Sequence, residues 1–247
     1  MSDFFGFVGQ ADAYIDILTD AGVSTGMVLK GNCKAFTPEP HFGTKELIGN
    51  GLNNFGQAIC SVTIPKPMTA TIVFNQLDRD LFALAFFGTS SAAQTSGTMT
   101  DKAITAIVGK GVSLGRYLVS DVVVKDSSGA TTYNAGDDYT VNTNLGMITV
   151  LADGAIGEGD GLLVSCSYAA AGASMEAMTK SNVRIAVKLD GKNYADGKTF
   201  VTEIYKMRLA SSSDFSLVGS DFVEVTFKGT LETPEGGSTP MKHVWLS

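Results

Sequence analysis

The sequence predicts a mainly β protein: an antiparallel β-sandwich or barrel with one buried α-helix and an inserted β-module. Three observations carry this. Apolar and polar residues alternate with period two over most of the chain, a single segment breaks the alternation, and two runs of small residues bracket a central stretch with strands of its own.

In chain order, the first feature is "TPEPHFGTKELIGNGLNNFGQ", Thr37 to Gln57. It is rich in Gly, Pro and Asn and too long for a hairpin turn, so a functional or mobile loop is expected. Strands follow at Ile59 to Ile64 and Ala70 to Phe74. In "NQLDRDLFALAFFG" the period changes. Asn75 is the expected N-cap, Asp78 and Asp80 stand in the first turn where the helix dipole favours carboxylates, and Gly88 is the C-terminal stop. Leu81 to Phe87 are apolar on every side, so this helix should be enclosed against a sheet.

"GTSSAAQTSGTMT" (88–100) and "AAAGASMEA" (169–177) have linker composition. Between them lie Val122 to Val124, Leu162 to Tyr168 and the hairpin "YNAGDDYTVNTNLGMITV", in which Tyr139 and Val141 alternate before a turn and Ile148 and Val150 after it. The expected organisation is therefore a discontinuous main domain, 1–96 plus 173–247, with an inserted module at 97–172. The main domain resumes with Val183, Ile185, Val187 and Leu189 opposing Arg184 and Lys188. Tyr205, Met207 and Leu209 then oppose Lys206 and Arg208, Val223, Val225 and Phe227 oppose Glu224, Thr226 and Lys228, and a last strand runs from Lys242 to Leu246. The loop "DGKNYADGK" is a hairpin connection.

With 247 residues and 44% hydrophobic content, folding can bury roughly three quarters of the surface the unfolded chain exposes. Only 17% of residues are charged and the net charge is −7, which argues against a general DNA-binding surface, since neutralising phosphates requires concentrated Lys and Arg. Cys33, Cys60 and Cys166 form no CxxC pair and read as free buried thiols. "MSDFFGFVGQADAY" has no basic n-region, and no run reaches the ~18 apolar residues of a membrane span, so folding in a cytoplasm is expected.

Catalytic motifs fail on context. "GVSLG" (111–115) matches the nucleophile pattern around Ser113, and His243 lies downstream, but a helix must follow the serine and "RYLVSDVVV" is β-type. "GKGVSLG" and "GEGDG" lack the spacing or the following helix of a phosphate-binding loop. His41 and His243 have no evident third metal ligand, and "DGKNYADG" lacks the spacing of a calcium loop. The expectation is no enzyme, no cofactor and no metal.

The order of elements resembles that of the major tail tube proteins of long-tailed bacteriophages. "LFALAFFGT" is similar to their helix-plus-Gly segment. "SDFSLVGSDFVEVTFKGTLETPEG" resembles their final strands, with an F-x-G step at Phe227 and Gly229, and "DYTV…G-x-I-x-V" resembles pairs seen in phage virion proteins. The inserted module is outside the minimal family pattern. The resemblance implies a structural protein of the phage tail, made in the host cytoplasm, whose subunits close into stacked hexameric rings. Its implied partners are further copies of itself and the tape measure, tail terminator and distal tail proteins. Genomic DNA would pass the lumen without specific binding, and a cation-poor protein suits that passage because each neutralised phosphate adds drag. Alternatives are another virion component, an adhesin built from the same type of module, or a serine esterase using Ser113.

Two surfaces are candidates for assembly. The loop from Thr37 to Gln57 carries Phe42, Leu47, Ile48, Leu52 and Phe55 as anchors for stacking one ring on the next. Arg184, Lys188, Lys206 and Arg208 should gather on one polar face, available to carboxylates of a neighbouring subunit or simply to solvent. The module is expected on the outside of the tube, with Tyr139 and Val141 away from the channel.

Overall fold

The first strand, β1 (Gly9–Ile17), buries Ala13 and Ile15 and is followed by β2 (Val28–Leu29), β3 (Cys33–Ile48), β4 (Ala58–Phe74) and helix α1 (Arg79–Ala85). The structure, a computed structural model, describes residues 6–212 and 216–246. Met1 to Phe5 of the N-terminal segment, Ser213 to Phe215 at the head of the segment likened to tail tube strands, and Ser247 lie outside the described residues. The chain divides into two compact units, Met1–Thr89 with Glu176–Ser247, and Ser90–Met175.

The first unit resumes with β13 (Arg184–Asn193), β14 (Thr199–Ser212), β15 (Val225–Leu231) and β16 (Met241–Leu246). Its strands form one eight-stranded sheet in the order β2-β1-β13-β14-β15-β4-β3, with β16 also on β14. Strand β14 pairs with β13 along one edge and divides its other edge between two partners: Thr199 to Ile204 pair with β16 and Met207 to Ser212 with β15. The buried face joins Ile15, Ile72, Phe74, Ile185, Met207 and Phe227. Phe74 and Phe227 meet edge to face at 6.3 Å, and truncating either to Ala would cost about 3–5 kcal/mol.

Alternation holds in β13 from Val187 onward, where Val187 and Leu189 are buried and Lys188 is exposed; ahead of it Ile185 and Ala186 are both buried. It fails in β14. Ile185 pairs with Met207 but Val187 pairs with Ile204, so a bulge inserts one residue, Ile204 and Met207 both face the core, and Tyr205, expected inward with Met207, is exposed. Gly191 sits opposite Phe200, and a Cβ there would lie 2.2 Å from the Phe200 ring, so the glycine makes room for the aromatic.

The helix is shorter than expected. Asp78, not Asn75, is the N-cap, and its Oδ1 accepts the Leu81 N–H at 2.7 Å. Phe87, with φ 50°, takes the left-handed position, and the Phe87 and Gly88 N–H groups bond the Leu84 and Ala83 carbonyls. The stop is thus a Schellman turn with its left-handed residue one place before Gly88. Leu81, Leu84 and Ala85 join the sheet's core, while Phe82 and Phe86 are half-buried and pack together at 5.3 Å. Buried Lys30 donates to Asp78 at 2.7 Å and Asp80 at 2.9 Å, fixing the helix start to the chain ahead of β3.

The second unit, which takes all but the outermost residue of its first and last strands, begins with β5 (Thr89–Gln94), β6 (Gly97–Thr105), β7 (Gly111–Ser113) and β8 (Val119–Asp126). It continues through β9 (Tyr139–Asn142), β10 (Met147–Val150), β11 (Gly161–Tyr168) and β12 (Ala171–Glu176). Two three-stranded sheets, β7-β10-β9 and β6-β11-β8, share a core of Val124, Tyr139, Ile148, Val150, Leu162 and Val164. Tyr139 is 2% exposed and its hydroxyl donates to the Val122 carbonyl at 3.1 Å, so the hairpin is the centre of this core. The two expected linkers are instead strands: β5 pairs with β12, and β6 joins the second sheet. Their small side chains lack an apolar alternation, so backbone pairing alone makes them strands.

Candidate functional site

The segment expected as a loop from Thr37 to Gln57 is mostly strand. Thr37 to Ile48 belong to β3 and pair with β4, which also unites the two strands expected at 59–64 and 70–74. The reason is a continuous β-type partner: β4 runs from Ala58 to Phe74 with no Gly, Asn or Asp to turn it, and the prolines of β3 and of β4 both lie where their strand has an open edge that needs no ladder bond. Strand β15 supports β4 only from Thr69 to Phe74. Beyond that point β3 and β4 continue as a two-stranded arm, and every residue of β4 from Ala58 to Pro67 is exposed.

The tip is built by local bonds. The Gly49 N–H donates to the Gln57 carbonyl at 2.8 Å, and Asn54 Oδ1 accepts the Gly51 N–H at 2.8 Å. Leu52 and Phe55 project from this turn at 104% and 79% exposure. Along the arm, Leu47 faces Cys60, Lys45 faces Val62 and Gly43 faces Ile64, so these residues share one side. Leu47, Cys60, Val62 and Ile64 make that side an apolar stripe, all four exposed, with Lys45 beside it. Phe42 lies on the opposite side, and Ile48 follows a register shift at the tip; both are exposed. The five expected anchors therefore sit on one projecting element but not on one face. Cys60, Val62 and Ile64 were missed as site residues, although their alternation is legible in "CSVTI". Cys60, expected buried, is exposed because its strand has no third neighbour there.

The four expected cations are brought together and largely neutralised within the chain. Arg184 stands directly opposite Arg208 across the β13–β14 ladder. Arg184 Nε and Lys206 Nζ converge on Glu232 at 3.0 and 3.4 Å, and Lys188 Nζ reaches Glu203 at 2.7 Å. The Glu203 carboxylate holds the Lys188 ammonium above its ordinary pKa. Arg208 is exposed and makes no ion pair among the described residues.

Ser113 closes β7, and its Oγ accepts the Gly115 N–H at 3.1 Å. The next element is strand β8, so the strand–turn–helix of a nucleophile elbow is not formed around it. His243 belongs to the other unit, where Nδ1 lies 2.8 Å from Thr202 Oγ1 and the ring stacks on Phe200. Among the described residues no group of three or more His, Cys, Asp or Glu could hold a metal ion. Burial pushes the Cys33 and Cys166 thiols above their ordinary pKa, away from nucleophilic use at neutral pH. No helix among the described residues is long and apolar enough to cross a membrane.

The chain matches no curated protein. A family model described as "Protein of unknown function UCP028589" matches residues 7–235, a span that takes in the second compact unit, the arm and the first unit up to the segment before β16, and the chain belongs to that family.

Proposed function

We propose that this protein is a self-assembling structural subunit, one copy of many in the stacked rings of a phage tail tube, and that the β3–β4 arm joins one ring to the next. The supporting observation is the arm. An isolated two-stranded ribbon is marginally stable in water, yet this one exposes Leu47, Cys60, Val62 and Ile64 as a stripe and Leu52 and Phe55 at its tip. Full burial of side chains of this size contributes about 1.5–3 kcal/mol each before the costs of docking. A copy of the same chain is the partner because a projecting arm that meets a different surface on the next copy makes a heterologous contact, and such contacts generate rings and filaments.

The test is negative-stain electron microscopy of the concentrated protein. Wild type forms hollow tubes; Leu47→Glu with Val62→Glu leaves subunits or single rings, while circular dichroism is unchanged because neither side chain is in the core. Tubes of normal length from the double variant would refute the role of the arm. A wild-type protein that stays monomeric at every concentration, bound or unbound to a ligand, would refute the tube reading.

A further inference from the structure

Four of the chain's six prolines, Pro38, Pro40, Pro65 and Pro67, stand where the arm leaves its sheet. The pairing breaks at the same place. Glu39 pairs with Thr69 and His41 with Lys66, which leaves Pro40 on one strand against Pro67 and Met68 on the other. Proline has no N–H to donate, so the ladder across this break is depleted of backbone bonds. Side chains bridge it instead. The Thr69 hydroxyl donates to Glu39 Oε2 at 3.3 Å, so its oxygen Oγ1 is left to accept from His41 Nε2 at 2.9 Å. Lys228 on β15 reaches Glu39 at 3.8 Å. His41 and Lys228 are exposed and Glu39 is half-buried, so water reaches these bonds and exchanges with them readily.

We propose that this proline-flanked break is a pivot about which the arm swings relative to its sheet. On either side of it the ladder is regular, from Cys33 to Glu39 against Thr69 to Phe74 and from His41 to Leu47 against Cys60 to Lys66, apart from one shift near Cys33. Two stiff ribbons therefore meet at one weak joint. Resting on the assembly reading above, docking onto a second copy selects one arm orientation from the range that the joint allows.

Pulsed electron–electron spin resonance tests the pivot on the unassembled protein. Cys60 is exposed on the arm, so it takes a nitroxide, with a second on Arg208→Cys in the rigid sheet, in a Cys33→Ser background; Cys166 is buried. Cys60 lies about 20 Å from the break at ~3.4 Å per residue, so a swing of about 20° spreads the distance by roughly 7 Å. The expected result is a distribution broader by about that amount than one from a Lys192→Cys, Arg208→Cys pair within the sheet, made with Cys60→Ser. Deleting Met68 with Pro40→Thr and Pro67→Thr completes the ladder and should narrow it. A wild-type distribution as narrow as the sheet pair overturns the pivot, even if the repaired variant fails to fold. Electron microscopy of the same samples is read separately: tubes with a narrow distribution sink the pivot alone, and a broad distribution without tubes sinks the assembly reading alone.

Discussion

Replacing Asp78 by Ala should remove two interactions at once. Its Oδ1 caps α1 through the Leu81 N–H, and its Oδ2 accepts from Lys30, whose side chain is 2% exposed. Losing an N-cap carboxylate typically costs about 1 kcal/mol. A charged hydrogen bond to a buried ammonium is worth about 1.5–3 kcal/mol, but the Asp78 side chain is 43% exposed and Lys30 keeps Asp80, so about 1 kcal/mol is the fair share. The expected loss is therefore about 2 kcal/mol for Asp78→Ala and about 1 kcal/mol for Asp78→Asn, which keeps the cap. Urea unfolding followed by fluorescence reads this, because the single tryptophan, Trp245, lies on β16 in the same unit. Burial opposes ionisation of Asp78, yet the Leu81 N–H and the Lys30 ammonium hold its carboxyl below the ordinary 3.8. Its stabilising contribution is thus fully present above pH 3.8 and disappears as pH falls through the lower folded value, so wild type and Asp78→Asn should converge in acid. Equal losses for Ala and Asn would refute the separate capping contribution, and a loss below about 0.5 kcal/mol for Ala would refute the clamp altogether.

Gly146 has φ 58° and a Cβ there would lie 1.7 Å from the Arg116 carbonyl oxygen, so Gly146→Ala should cost the second unit about 3 kcal/mol or more. Differential scanning calorimetry should show that unit's transition lowered or lost while Trp245 still reports normal unfolding of the first. Tyr139→Phe removes the donor to the half-buried Val122 carbonyl and should lower the second unit's stability by about 1 kcal/mol in the same experiment; an unchanged midpoint would show that the hydroxyl bond is idle. Joining β5 to β12 by Asn-Gly in place of residues 95–170 should leave the Trp245 unfolding midpoint within about 0.5 kcal/mol of wild type, and a collapse of the first unit would refute its independence.

Much of the fold is written in local pattern. The alternation of Val183 to Leu189 and of Val225 to Phe227 puts the right residues in the core, because a strand with neighbours on both sides buries whichever face is apolar. The central hairpin is legible for the same reason, with Tyr139 paired to Val150 and Val141 to Ile148. Helix existence is legible at Leu81 to Ala85, but its cap is not: Asn75 and Asp78 are both good N-caps, and buried Lys30, far away in sequence, selects the second. A single bulge in β14 moves Tyr205 to the surface, and no period-two count can show where a ladder slips.

The candidate site divides along the same line. Sequence alone determined which apolar residues the segment from Phe42 to Ile64 carries and that it holds no catalytic motif. Tertiary structure decided that they stand on a projecting two-stranded arm, because β15 ends its pairing at Thr69 and leaves β4 without a third strand. It also decided that Arg184, Lys188 and Lys206 are matched by Glu232 and Glu203, since ladder register sets which charges meet. Composition and periodicity are properties of neighbours along the chain. Exposure and pairing belong to the sheet, whose edges are set by contacts between residues far apart in sequence.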